Sequence, residues 1–275
     1  MAALSLVRDT ASSMTERPTM PDPVERVRFM LGEAGNRADF DAILNHYAAD
    51  ALWIMPTQEF RGVDAIRRHW EEWYENYEEF RLDAPHVVDI GNGVVLAILH
   101  QGGRLRGSGA ELRQQLALIY EWSNGQVVRV TASAAQDDID EARAAAERLA
   151  KVRAAFAQFN SGEREVSPDA LDPAVEISSR FARLDGRPYR GVDGFREWLS
   201  EIDQQFDVWE TTLTEVRDLG HERVLTLGSI HARGRASRVT LDLPLAAVHE
   251  FRGGRLRRMI VRDSKEQVLK DAAEE

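Results

Sequence analysis

The chain has 275 residues, 43% of them hydrophobic and 29% charged, an ordinary globular composition long enough for two domains of usual size. Its 46 acidic side chains outnumber 35 basic ones, and the net charge of -11 repels phosphate backbones and anionic lipid, which argues against nucleic acid or a membrane surface as partner. Cysteine is absent, removing disulfides, thiolate nucleophiles and cysteine-ligated metals, and no apolar run approaches the roughly 20 residues of a membrane span or the core of a signal peptide, so a cytoplasmic location is expected.

Residues 1–23 hold Ser, Thr, Met and three prolines without periodicity and read as a flexible tail. Helices are predicted over 24–34 and 40–47, then a short strand over 51–55. Arg61-Gly62-Val63-Asp64 opens a long amphipathic helix whose apolar stripe is Ile66, Trp70, Trp73 and Tyr77. Four strand-like stretches follow, 80–90, 94–101, 111–122 and 126–131, the last two joined at the hairpin signal Ser123-Asn124-Gly125. Residues 137–151, rich in Ala and charge, carry no loop signal and read as helix leading into a second unit. That unit repeats the order: helices over 139–159 and 168–171, a strand over 174–178, a long helix with the stripe Phe195, Leu199, Ile202 and Phe206, then strands over 209–219, 224–231, 240–251 and 255–261.

The repeat is also one of identity. Arg61-Gly62-Val63-Asp64 recurs as Arg190-Gly191-Val192-Asp193, and an ungapped offset of 129 gives 20 identities over the 78 positions from Arg61 to Asp138, where unrelated sequences would agree at about one position in fifteen. The chain is therefore read as α+β: two tandem cone-shaped domains, each a curved antiparallel sheet with helices packed on its concave face, spanning 24–137 and 138–275. Two such sheets, each with a face left to cover, are expected to pack face to face as an intramolecular pseudo-dimer, with a homodimer as a further open state.

Three segments of the first copy, Phe60-Arg61-Gly62-Val63-Asp64-Ala65-Ile66, Arg106-Gly107-Ser108-Gly109 and Tyr120-Glu121-Trp122-Ser123-Asn124-Gly125-Gln126-Val127, resemble the SnoaL-like polyketide cyclase family, of the nuclear-transport-factor-2-like and ketosteroid-isomerase-like fold. The second copy is similar but looser. The resemblance implies the fold, a small-molecule pocket inside each cone and chemistry without a cofactor; because this fold hosts isomerases, cyclases, hydrolases and non-catalytic modules, it does not choose among them.

Isomerases of the fold place a general-base Asp near the end of the first strand, before a Pro. Aligned on that pattern, Met55 stands at the base position in copy one and Ser178 in copy two, and Trp53 is matched by Glu176. Neither copy keeps the base, so steroid-isomerase chemistry is not expected. The ionisable replacements fall in copy two: Glu176, His231, His249 in place of Tyr120, and Asp263, which by alternation shares a face with Val261. These four are the candidate catalytic residues, expected to converge at least pairwise on one pocket. Candidate ligand-binding residues are Tyr47, Trp53, Met55, Trp70 and Tyr120 in copy one, with His100 at the end of the alternation Val94, Leu96, Ile98, and Ser178 in copy two. His69 falls off the apolar stripe and reads as solvated, and no metal site is expected. Two readings of function stand: a binder of a small apolar molecule with acid/base groups in domain 2 for cyclase, isomerase or hydrolase chemistry, or a non-catalytic ligand-binding or assembly module with degenerate pockets.

Overall fold

The computed structural model describes residues 22–133, 139–179 and 187–274. Helix α1 (Pro23–Phe29) starts at the N-cap Asp22, whose side chain accepts from the Val24 amide, and continues into a π-helical turn, Met30–Ala34. It is followed by α2 (Phe40–Leu44), β1 (Tyr47–Ile54), β2 (Glu59–Arg61), α3 (Val63–Glu75), β3 (Tyr77–Gly91), β4 (Val94–Leu105), β5 (Glu111–Ser123) and β6 (Gln126–Ser133). The second unit comprises α4 (Ile139–Asn160), a 3-10 turn (Pro168–Ala170), β7 (Leu171–Ser179), β8 (Tyr189–Arg190), α5 (Gly191–Gln205), β9 (Phe206–Gly220), β10 (Arg223–Gly234), β11 (Thr240–Arg252), β12 (Arg255–Arg262) and α6 (Lys265–Ala273). Two six-stranded sheets result, with identical orders β2-β1-β6-β5-β4-β3 and β8-β7-β12-β11-β10-β9. Only the β1–β6 and β7–β12 pairings are parallel. The tandem α+β reading holds. The proposed domain limits fall partly outside the described residues: the tail up to residue 21 and the boundary at 137/138 both lie there.

Local chemistry is repeated with the topology. Gly62 and Gly191, at the head of each long helix, have φ of +84° and +70°, a backbone region that side-chain-bearing residues avoid. Asn36 grips strand β3 through both Leu82 backbone groups, at 2.8 Å each, and Asn160 grips β9 through both Thr211 backbone groups, at 2.7 and 2.9 Å. Arg106 and Arg235 both reach back to carbonyls at the end of the long helix of their domain.

These pairs fix the true register of the repeat. From α3 onward the offset is 129, but Asn36 with Asn160, and Trp53 with Ile177, differ by 124. Trp53 pairs with Val130 and Phe60, and Ile177 with their counterparts Met259 and Tyr189. Nine residues separate Ser179 from Tyr189, against four between Met55 and Phe60. Met55 is therefore matched by Ser179, and the expected pairings of Met55 with Ser178 and Trp53 with Glu176 are one residue out of register.

Expected face-to-face packing of the two sheets is replaced by helical cover. The back of the first sheet presents Leu96, Ala117 and Ile119, and onto it packs the Ala-rich first half of α4, with Ala142, Ala145, Ala146 and Leu149 buried between that sheet and Val216 and Val224 of the second. Small side chains let the helix approach closely. The counterparts on the second sheet, Leu225, Ala246 and Val248, are covered by α6 through Val268 and Ala272, a helix that the sequence reading did not separate. An apolar sheet face needs cover, and here each sheet receives a helix of its own.

Candidate ligand cavities

Each cone is hollow. The first holds a cavity of about 240 Å³, walled by the π-helical turn after α1, by α2 and α3, and by the concave face of the sheet. Five residues expected there do line it: Tyr47, Trp53, Met55, Trp70 and Tyr120. Trp70 packs edge-on to Trp53 at 5.2 Å and to Tyr47 at 5.8 Å between ring centroids, so the aromatic stripe of α3 both forms core and narrows the cavity. Tyr47 and Tyr120 share a hydrogen bond, and burial raises both phenols above their ordinary range, keeping them protonated. His69, expected in solvent, instead lines this cavity, stacked on Phe60 at 4.1 Å, and burial lowers its pKa. Among the described residues no carboxylate, Lys or Arg lines this space.

His100 does not join them. Along β4 the residues facing the cone are Val95, Ala97 and Leu99, whereas His100 continues the opposite row and is exposed.

The second cone holds a larger cavity of about 560 Å³. Its size follows from the sequence: Leu199 replaces Trp70, Ile202 replaces Trp73, and Ala247 replaces Leu118, while Ala154 stands where Met30 does in domain 1. Gly228 replaces Leu99 at a bulge where an added Cβ would lie 2.0 Å from the Thr212 carbonyl oxygen, so no side chain can stand there. Lys151, Glu163, Arg164 and Asp169 touch the cavity from its mouth, where all but the half-buried Arg164 are exposed; Arg164 pairs with Asp203 and lies over the Phe159 ring.

Deeper in, the single ionisable side chain among the described lining residues is His249, 6% exposed. Its Nε2 lies 3.1 Å from the Thr226 hydroxyl, which also reaches the Ala247 carbonyl at 3.5 Å, and its ring meets Phe156 of α4 edge-on at 5.8 Å. Burial drives its pKa down to about 4, so the imidazole is neutral near pH 7.

The other three candidate catalytic residues are not brought to the cavity. Glu176 lies on the back of β7 and pairs with exposed Arg190 at 3.2 Å; one residue along, Ile177 and Ser179 face the core. Ser178 also faces the back, its Oγ accepting from Arg262, which is held by Asp271 of α6. The single-residue slip in the alignment accounts for both, since it carries a strand's residues to the other face. His231 is exposed on the outside of β10, 2.7 Å from Asp242. Asp263 is exposed because β12 ends at Arg262, so the alternation that placed it beside Val261 no longer applies; its copy-one counterpart, Ala134, lies outside the described residues.

With this geometry in view, residues 27–130 match the model of the SnoaL-like domain. The match covers most of the first half of the chain, which is similar there to a SnoaL-like domain. The second, outside the matched stretch, is tied to it by the internal repeat. Solved structures similar to part of the chain include a protein with a ketosteroid isomerase-like fold from Catenulispora acidiphila, in complex with trimethylamine (13% identity, TM-score 0.38, covering 41% of this chain and 86% of that one). An NTF2-like protein of unknown function from Burkholderia pseudomallei is 17% identical, with a TM-score of 0.38 and coverage of 42% and 93%. Bal32a, from a soil-derived mobile gene cassette, is 20% identical, with a TM-score of 0.38 and coverage of 41% and 88%. No curated protein matches the chain. Among the described residues no helix is long and apolar enough to cross a membrane.

Proposed function

We propose that the chain binds a small, largely apolar molecule in the cavity of its second SnoaL-like domain, with His249 as the one buried ionisable group on the cavity wall to meet it. The observation that carries this reading is the pairing of an apolar cavity of about 560 Å³ with a single buried, neutral imidazole. The volume falls within the roughly 300–1,000 Å³ typical of ligand sites, and the cavity of about 240 Å³ in domain 1 falls below it. In the tautomer in which the Thr226 hydroxyl donates to the Ala247 carbonyl and accepts from Nε2–H, Nδ1 is an acceptor with no partner among the described residues.

A catalytic carboxylate–imidazole pair is not supported, because Glu176, Asp263 and His231 lie outside the cavity. Acid/base chemistry of the cyclase, isomerase or hydrolase kind would rest on His249 alone, and binding is the better-supported activity. The test is a fluorescence titration, using Trp198 and Trp209 of the cavity wall as reporters, with pyrene and hydroxypyrene as probes. The expected outcome is that His249→Phe weakens hydroxypyrene about five- to tenfold, as the loss of one hydrogen bond implies, and leaves pyrene unchanged. Equal effects on both probes, or no binding to the wild-type chain, would overturn the reading.

A further inference from the structure

Helix α4 belongs to both domains. Its first half lies on the back of the first sheet, and its second half supplies Val152, Phe156 and Phe159 to the wall of the second cavity. Next to Val152 in this second half stands Arg153, whose Nη2 lies 2.5 Å from Oε2 of Glu121 and whose Nη1 donates to the Trp122 carbonyl at 3.2 Å. Glu121, 1% exposed, also receives Arg129, and Arg129 continues across the junction to Glu215 at 3.6 Å and to the Val216 carbonyl.

One helical turn beyond Arg153, Phe156 packs against both the interdomain cluster and the core of the second cone, and its ring faces His249. The junction is not solidly packed: a polar cavity of about 420 Å³, lined by Glu121, Arg129, Arg153 and Glu215 among others, opens beside the ion pairs. Arg153 thus has space beside it and is kept in place by its hydrogen bonds to domain 1. The second domain repeats the pair, since Glu250 and Arg258, the counterparts of Glu121 and Arg129, lie 3.8 Å apart.

We propose that domain 1 completes the ligand site of domain 2: Glu121 anchors Arg153, and this anchor positions Phe156 of α4 against His249 as part of the second cavity's wall. Glu121 and Arg153 are on this account positioning residues, since they act through Phe156 and touch no ligand. The inference deepens the proposed binding reading, yet it concerns the cavity wall itself and can be tested with the cavity empty.

The experiment uses the full-length chain and the variants Glu121→Gln and Arg153→Met, with Arg153→Lys as conservative rescue and Ile66→Val as a core truncation in domain 1 that leaves the anchor intact. The ring signals of His249 are followed by NMR as pH is lowered, and hydroxypyrene binding is titrated in parallel. When the anchor is lost, the second cavity should admit water beside the imidazole. The midpoint of His249 then moves upward toward the ordinary histidine value by a pH unit or more, and hydroxypyrene affinity falls about three- to tenfold, with Arg153→Lys intermediate and Ile66→Val unchanged. An unmoved midpoint in folded Glu121→Gln or Arg153→Met protein overturns the proposal, as does a shift of the same size in Ile66→Val. Should no probe bind the wild-type chain, the binding reading fails by itself and the His249 titration still decides the anchor.

Discussion

The two cones share strand order, register and the residues that shape the backbone, yet their interiors differ at almost every position that reaches the cavity. Domain 1 fills its cone with its own rings: Trp70, Trp73 and Tyr74 from α3, and the hydrogen-bonded phenols of Tyr47 and Tyr120 from the sheet. Domain 2 has Leu199, Ile202, Asp203, Leu171 and His249 at the equivalent places, and its cavity is more than twice as large. The comparison teaches that backbone positions were retained while side-chain volume was redistributed, leaving one cone self-filled and the other open. Positions such as Gly62 and Gly191 answer to φ angles, whereas cavity positions need only enough apolar volume to keep the sheet and helix joined.

The comparison is sharpened most by acid. Position 120 of the first cone holds a phenol, and its counterpart in the second holds His249, whose folded-state pKa of about 4 lies below the ordinary histidine value of 6.5. An unfolded chain takes up a proton at this residue below pH 6.5 while the folded chain refuses it until about pH 4, so the neutral buried imidazole contributes stability at higher pH that is lost as pH falls through this window. The loss should reach about 3 kcal/mol. Urea unfolding of wild type and His249→Phe across that range checks it: the wild type should lose the larger part of its stability on acidification, and parallel curves would break the comparison. A smaller effect is expected on the back of β7. Glu176→Ala removes a partly exposed ion pair with Arg190 and should change stability by no more than about 0.5 kcal/mol and hydroxypyrene binding not at all. A loss of binding there would return Glu176 to the site.

Most of the fold was legible in the sequence. The tetrapeptide repeat, the stripe from Ile66 to Tyr77 and the hairpin signals carry the succession of the long strands and both long helices, because backbone geometry constrains those residues directly, whereas the short strands β2 and β8 and the parallel pairings of β1 with β6 and β7 with β12 were not read. Of the five cavity residues named in domain 1, Trp70 belongs to the stripe, Tyr120 to a strand read from the sequence, and Tyr47, Trp53 and Met55 to the segment aligned on the first strand of the isomerases. The candidate site of domain 2 was less legible. Its first strand sits ahead of a five-residue length difference, and fixing its register needs partners such as Met259 and Tyr189, which are distant in sequence; without them Glu176 and Ser178 are assigned to the wrong face. His69 looked solvated because helical periodicity does not report the Phe60 ring stacked on it. The role of α4 between the domains was hidden for another reason. An Ala-rich helix with charges spaced along it resembles an exposed one, and its burial becomes visible only through Leu96, Ala117 and Ile119 beneath it. His249 was legible as a replacement for Tyr120 at a known offset.

The central claim, that the open cone of domain 2 is the ligand site and the filled cone of domain 1 is not, is tested most directly by restoring the missing ring. Leu199→Trp gives domain 2 the residue that Trp70 supplies in domain 1, at a buried position on the cavity wall. In a hydroxypyrene titration of the full-length chain, the account predicts one site on the wild type and at least a tenfold loss of affinity in the folded variant. Unchanged affinity and stoichiometry in Leu199→Trp would contradict it.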